Sequence, residues 1–202
     1  AAIADADSGL ALLSGTSSAV VNIQNALKIT KARAQLGIAQ FAAAATTVAG
    51  IPTSYAYNVT FAVGSGDNIL WNQPASQRRY TVGDSLEGRG RNLLVRNATP
   101  FFSLQDPRVP VRYTVSSNGR DTTISQDGLT PSRTTTVFAR TTATPVVNGI
   151  DARLIEAEAR LQANDFAGMT TILNALRAAP PKLGEVQPTV LAPLTPPTTR
   201  DA

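Results

Sequence analysis

The chain has 202 residues, 43% of them hydrophobic and only 5% aromatic, enough to bury one sizeable core or two small ones. Its 18 Lys and Arg outweigh 14 Asp and Glu for a formal charge of +4, scattered along the chain with Arg78-Arg79 the adjacent pair, a balance that suits an acidic partner surface without demanding nucleic acid. Cys and His are absent, which excludes thiol nucleophiles, disulfides, zinc sites built on Cys or His, and imidazole bases.

No apolar run approaches the roughly 18 to 20 residues that a membrane-spanning helix needs, and no charged segment leading into an apolar one opens the chain, so it reads as soluble. The opening Ala1 suits a processed form or part of a longer product. The first helical block covers residues 17–50. Val20, Ile23 and Leu27 recur on one face of a 3.6-residue period. After a break at Gly37, Phe41, Ala44, Ala45 and Val48 resume the period until Gly50 and Pro52 stop it. A helical hairpin is expected there.

Residues 53–145 read as strand and loop. "SYAYNVTFAV" is a strand candidate, and "VRYTVSSNGRDTTIS" alternates through Val111, Tyr113 and Val115, turns at Asn118-Gly119 and returns through Thr122 and Ile124. That pattern predicts a β-hairpin. A second helical hairpin follows over 148–179, with Asn148 and Asp151 at the N-terminus and Ile150, Leu154, Ala157 and Leu161 as its stripe. Asn164 and Asp165 supply the turn, and Phe166, Met169, Leu173 and Leu176 the returning stripe, until Pro180-Pro181. The two helical blocks share A-x-A-x-L-x4-F-A, with Ala32, Ala34, Leu36, Phe41 and Ala42 matching Ala157, Ala159, Leu161, Phe166 and Ala167. Small residues that let helices approach, and a Phe after the turn, follow the logic of tetratricopeptide-like pairs. Six of the thirteen prolines fall at Pro180 or beyond, so residues 181–202 should form an extended tail able to lie along a partner. The expected architecture is mainly α with a β/loop insertion, an α+β chain with a single domain over 1–180.

The candidate chemistry is sparse. Glu156 and Glu158 are separated by about 200° around a helix, so their carboxylates diverge instead of sharing a substrate. Glu156 stands instead at ion-pair spacing to Arg153 and Arg160. "GSGDN" and "EGRGRN" are Gly-rich but lack the strand-to-helix setting and GK[ST] ending of a phosphate loop. Asp67, Asp84 and Glu87 offer oxygen ligands without EF-hand spacing. No catalytic residue, metal site or cofactor is expected. Aromatics in the central block, Tyr55, Tyr57, Phe101 and Phe102 among them, are expected mostly to build a small core. Trp71 and Tyr80, set among polar residues beside Arg78 and Arg79, are the candidates for an exposed stacking or anchoring role. Pro193, Pro196 and Pro197 are the tail positions expected to touch a partner.

The segments "KARAQLGIAQFAAAATTVAGIPTSYAY", "RRYTVGDSLEGRGRNLLV", "DPRVPV" and "GIDARLIEAEARLQANDFAGMTTILNALRA", in this order over about residues 25–178, resemble the SusD/RagB-like family of outer-membrane nutrient-binding lipoproteins. The resemblance implies a non-catalytic tetratricopeptide scaffold, bacterial, extracytoplasmic and peripheral to the membrane, with loops that hold glycans or peptides over a TonB-dependent barrel. Against that family the chain lacks the region with the lipid-bearing Cys and stops where members continue into another long helix. The reading preferred from the sequence is therefore a SusD-like interaction module acting as an accessory subunit of a larger membrane complex, for transport, envelope assembly, or electron transfer and photosynthesis. The alternative is glycan or peptide capture led by Trp71 and Tyr80.

Overall fold

A computed structural model of the chain describes residues 1–87, 93–94, 99–119 and 122–199. The architecture is mixed, with helices and small two-stranded sheets, and the chain divides into two compact units. The first comprises residues 1–59, 145–181 and 190–202, and the second residues 60–144 and 182–189.

The first unit is helical. It contains α1 (Ala2–Leu12), α2 (Ser18–Gly37), α3 (Phe41–Val48), α6 (Gly149–Gln162) and α7 (Phe166–Ala178). Sequence punctuation sets their ends. Ser17 accepts the Val20 N–H to start α2, and Ala39 and Gly50 adopt left-handed conformations after α2 and α3. Asn148 and Asp151 form a reciprocal capping box at α6, with bonds of 3.0 and 2.9 Å. Asn164, also left-handed, makes the turn to α7, which Asp165 caps through the Gly168 N–H. Helix α1 was not foreseen in the sequence.

In this unit α2 packs on α3, α3 on α6, and α6 on α7. Ile29, Ala32, Ala44, Val48, Ile51, Val147, Ala152 and Ile155 form the core, and each fully buried Ile or Val is worth about 1.5–3 kcal/mol over an exposed one. The buried faces match the expected stripes in part. Ala44, Val48 and Ala157 are buried as expected, but Ile23 and Leu154 remain 41% and 47% exposed, and Ile29, Ala32 and Ile155 go inside instead. Contact distance between helices follows side-chain size, so alanines such as Ala32, Ala44, Ala152 and Ala157 line the closest approaches beside Ile29, Val48 and Ile155. Strand β1 (Ala56–Val59) pairs with β6 (Thr144–Asn148), a partner far along the chain.

The second unit is built from short pieces. These are α4 (Ile69–Trp71), a π-helical turn (Asn72–Ser76), β2 (Leu86–Glu87) with β3 (Leu93–Leu94), α5 (Phe101–Leu104), and β4 (Val111–Tyr113) with β5 (Arg133–Thr135). The expected hairpin is only partly realised. Val115 bridges Thr122 across the turn and Gly119 has φ +71°, but the ladder of β4 runs antiparallel to β5, in register Arg112↔Thr134. Two of the residues in the hairpin motif, 120–121, and most of "EGRGRN" lie outside the described residues.

Candidate functional site

The expected exposed aromatics are set in the second unit by a network around Asn68. This residue is fully buried; its side chain accepts from the Leu70 N–H at 2.8 Å to cap α4 and donates to the Thr142 carbonyl at 2.8 Å and Thr144 Oγ1 at 2.9 Å. Gly64 and Gly66, both at positive φ, allow the preceding loop to turn. Asp67 accepts from Arg140 Nε at 2.6 Å, and this places the Arg140 guanidinium over the Trp71 ring, 5.9 Å from its centroid. Trp71 is thus half-buried with a cation on one face, rather than freely presented.

Beyond the π-helical turn the chain reaches Arg78, Arg79 and Tyr80, all exposed, Tyr80 by 67%. Arg78 holds a left-handed φ of +56°, an uncommon state for a residue with a Cβ. Its carbonyl accepts the Gln126 N–H at 3.1 Å, the Gln77 carbonyl accepts Gln126 Nε2 at 3.3 Å, and the Arg79 N–H donates to the Gln73 carbonyl at 3.0 Å. The backbone of this corner is therefore held from both sides.

Sequence reasoning missed a buried polar cluster in the same unit. Asp84 faces Arg133 at 3.6 Å, with both side chains almost wholly buried. Asp84 Oδ2 accepts from Ser103 N at 2.9 Å and Ser103 Oγ at 2.6 Å, and Oδ1 from Ser85 N at 2.7 Å. The Ser103 hydroxyl above all, with the backbone donors, holds the Asp84 carboxyl below its ordinary range despite burial. The Arg133 guanidinium lies over Phe102, which packs on Tyr113 at 4.7 Å between centroids. These residues come from four separate segments, and no local motif announces them. The cluster joins segments that are distant in the sequence.

The two helical carboxylates in the first unit do not meet. Glu156 pairs with Arg153 at 3.0 Å, and Glu158 accepts from Gln162 at 2.7 Å. Burial pushes the Glu156 carboxyl upward, opposed by Arg153 and Arg160. Also in this unit is an open groove of about 480 Å³ lined by Leu36, Phe41, Leu154 and Ile155, with Arg33, Asp151 and Glu158 along its sides. Arg33 is tied to Asp151 at 2.8 Å and to the Val146 carbonyl at 3.1 Å.

The tail is extended, as its prolines require, but its described part lies on its own chain. Leu191 donates to the Arg177 carbonyl, Arg177 Nε to the Ala192 carbonyl at 2.7 Å, and Asn174 exchanges two bonds with Leu194 at 2.7 and 3.0 Å. Pro193 and Pro196 are exposed and Pro197 is half-buried. The candidate residues thus divide: Trp71, Arg78, Arg79 and Tyr80 belong to the second unit and the three prolines to the first. Among the described residues no helix is long and apolar enough to cross a membrane, and no cluster of acidic residues is arranged to hold a metal. Comparison with models of protein families, with curated proteins and with solved structures finds no match for this chain.

Proposed function

We propose that the chain is a non-catalytic, SusD-like interaction module that serves as an accessory subunit on the extracytoplasmic face of a bacterial membrane complex. In this reading α2 with α3 and α6 with α7 are two tetratricopeptide-like pairs. The observation that carries the reading is the groove bounded by Leu36, Phe41, Leu154 and Ile155. An open apolar channel with charged sides is suited to receiving a partner's side chains, and Leu154 and Ile38 already stand 47% and 58% exposed in the same unit.

Purification of the tagged chain from native membranes tests it. The protein should leave the membranes with other subunits in fixed ratio, and Leu154→Glu should release them while leaving the helical circular dichroism unchanged. Elution of the wild-type chain alone under mild detergent sinks the reading. Glycan capture stays as a second reading because Tyr80 is so open. It requires Tyr80→Ala to cost about 1–3 kcal/mol of glycan affinity, the scale of a lost stacking contact, and fails if no glycan binds the intact protein.

A further inference from the structure

The net charge of the molecule is not shared between its units. By sequence the second unit holds eleven Lys and Arg against seven Asp and Glu, and the first holds seven against seven. The whole excess of +4 therefore belongs to the second unit. Ten of its eleven cations are arginines, the residue whose planar fork matches a carboxylate bidentately.

Five carboxylates of that unit are already engaged. Asp67 pairs with Arg140, Asp84 with Arg133 and Asp106 with Arg108. Asp127 is taken up by its own turn, through Leu129 N, Thr130 N and Thr130 Oγ1, and Glu185 accepts from Thr142. Among the described residues this leaves Arg78, Arg79, Arg112 and Lys182 exposed with no carboxylate partner. The Arg78-Arg79 backbone is nevertheless fixed by Gln73, Gln77 and Gln126, and its left-handed residue follows a π-helical turn. Such strained local conformations persist where the surroundings enforce them and collect at functional positions. Arg112 is close by in the topology. Its strand β4 flanks one side of β5, while the other side receives Thr81 and Val82 through Arg133, with bonds of 2.9 and 3.0 Å. Two strand spacings amount to roughly 10 Å.

We propose that the Arg78-Arg79-Tyr80 corner of the second unit is a docking site for an acidic polypeptide segment. The two guanidinium groups pair with carboxylates of that segment, and the Tyr80 ring covers its apolar stems. Carboxylate recognition is favoured over an anionic lipid surface because membrane attraction of this kind relies on clusters of about four to eight adjacent cations, which this corner does not supply. The proposal rests on the interaction-module reading and names the chemistry of the partner.

Titration of the full chain with a labelled poly-L-glutamate peptide at low and physiological salt tests the site. Arg78→Gln with Arg79→Gln should weaken binding by about tenfold, and Lys28→Gln with Arg160→Gln, which removes the same charge from the first unit, by less than about twofold. Equal losses in the two variants, no binding by the wild type, or binding to phosphatidylglycerol vesicles with none to the peptide overturns the site. Native purification separates this outcome from the broader reading. If the doubly substituted chain keeps its partners at wild-type yield, the docking site is wrong and the interaction module stands; a wild-type chain that elutes alone removes the module, while the peptide titration still decides the site.

Discussion

At Gly149, the first residue of α6, a Cβ would overlap the carbonyl oxygens of Pro52 and Thr53, while its own N–H donates to the Tyr55 carbonyl at 2.8 Å. Gly149→Ala should therefore force the loop after α3 away from α6 and cost about 1–3 kcal/mol, the scale of overpacking; an unchanged denaturation midpoint would show that the loop gives freely. The glycine is easily misread as a helix-start residue of low propensity, since its partners lie nearly a hundred positions earlier. Asp84 makes a residue-scale prediction about pH. Its carboxyl titrates lower in the folded state, chiefly because of Ser103. A group with a depressed folded value contributes stability that is complete above the unfolded value, about 3.9, and is lost as pH falls through the folded one. Unfolding followed by Trp71 fluorescence should therefore become easier as the solution is acidified below about pH 4. Asp84→Asn should make that acid limb shallower without removing it, because Asp106 and Asp127 are also held low, to about 2, and, by removing the buried carboxylate facing Arg133, should cost about 3–5 kcal/mol. An acid limb of the same depth in the variant would show that another group drives it.

Among elements, α7 and the tail show how a helix can act as a rail. Asn174 and Arg177 lie one turn apart on α7 and bond the backbone of Leu194 and Ala192. Asn174→Ala should leave the helices intact, since each exposed bond contributes at most about 1 kcal/mol, but should raise amide hydrogen exchange at Leu194 and Leu191 many-fold. Unaltered exchange at both amides would mean that the prolines alone order the tail. The α2 to α3 connection behaves differently. Phe41 is half-buried and lines the groove of the first unit, so Phe41→Ala should cost about 2 kcal/mol, below the 3–5 of a fully buried ring. A loss of less than about 0.5 kcal/mol in chemical denaturation would place the ring outside the packing that joins α3 to α6.

On the scale of the whole molecule, the two units are stabilised by different materials. The first buries a continuous aliphatic cluster from Ile29 to Ile155. The second buries Val111 and Val137 but also Asn68, Asp84, Ser125, Ser132, Arg133 and Thr134. Polar burial gains little net free energy even when hydrogen-bonded, so the second unit should be the weaker of the two. The chain has one Trp, Trp71, which reports on the second unit, whereas the long helices that dominate the 222 nm signal belong to the first. On heating, the fluorescence midpoint should precede the circular dichroism midpoint. Coincident midpoints would mean that the units unfold as one cooperative body.

By itself the sequence determined where α2, α3, α6 and α7 begin and end, because caps, left-handed turn residues and prolines act within a few positions: Ser17, Asn148 with Asp151, Asn164 with Asp165, and Pro180 all do so through neighbours. It also determined that Glu156 and Glu158 diverge, which follows from the helical repeat alone. Which helix faces go inside was only partly legible in the apolar period: Ala44, Val48 and Ala157 lie on the expected stripes and are buried, but Ile29, Ala32 and Ile155 displace Ile23 and Leu154 only once a second helix approaches. Tertiary structure alone decided the partners of β1 and β4, the placing of Arg140 over Trp71, and the meeting of Asp84 with Ser103 and Arg133. The exposure of Tyr80 could be anticipated from its polar neighbours, but that no carboxylate among the described residues pairs with Arg78 or Arg79 could not. Each of these depends on groups brought together across long stretches of chain, and loop closure of that kind leaves no periodic trace in the sequence.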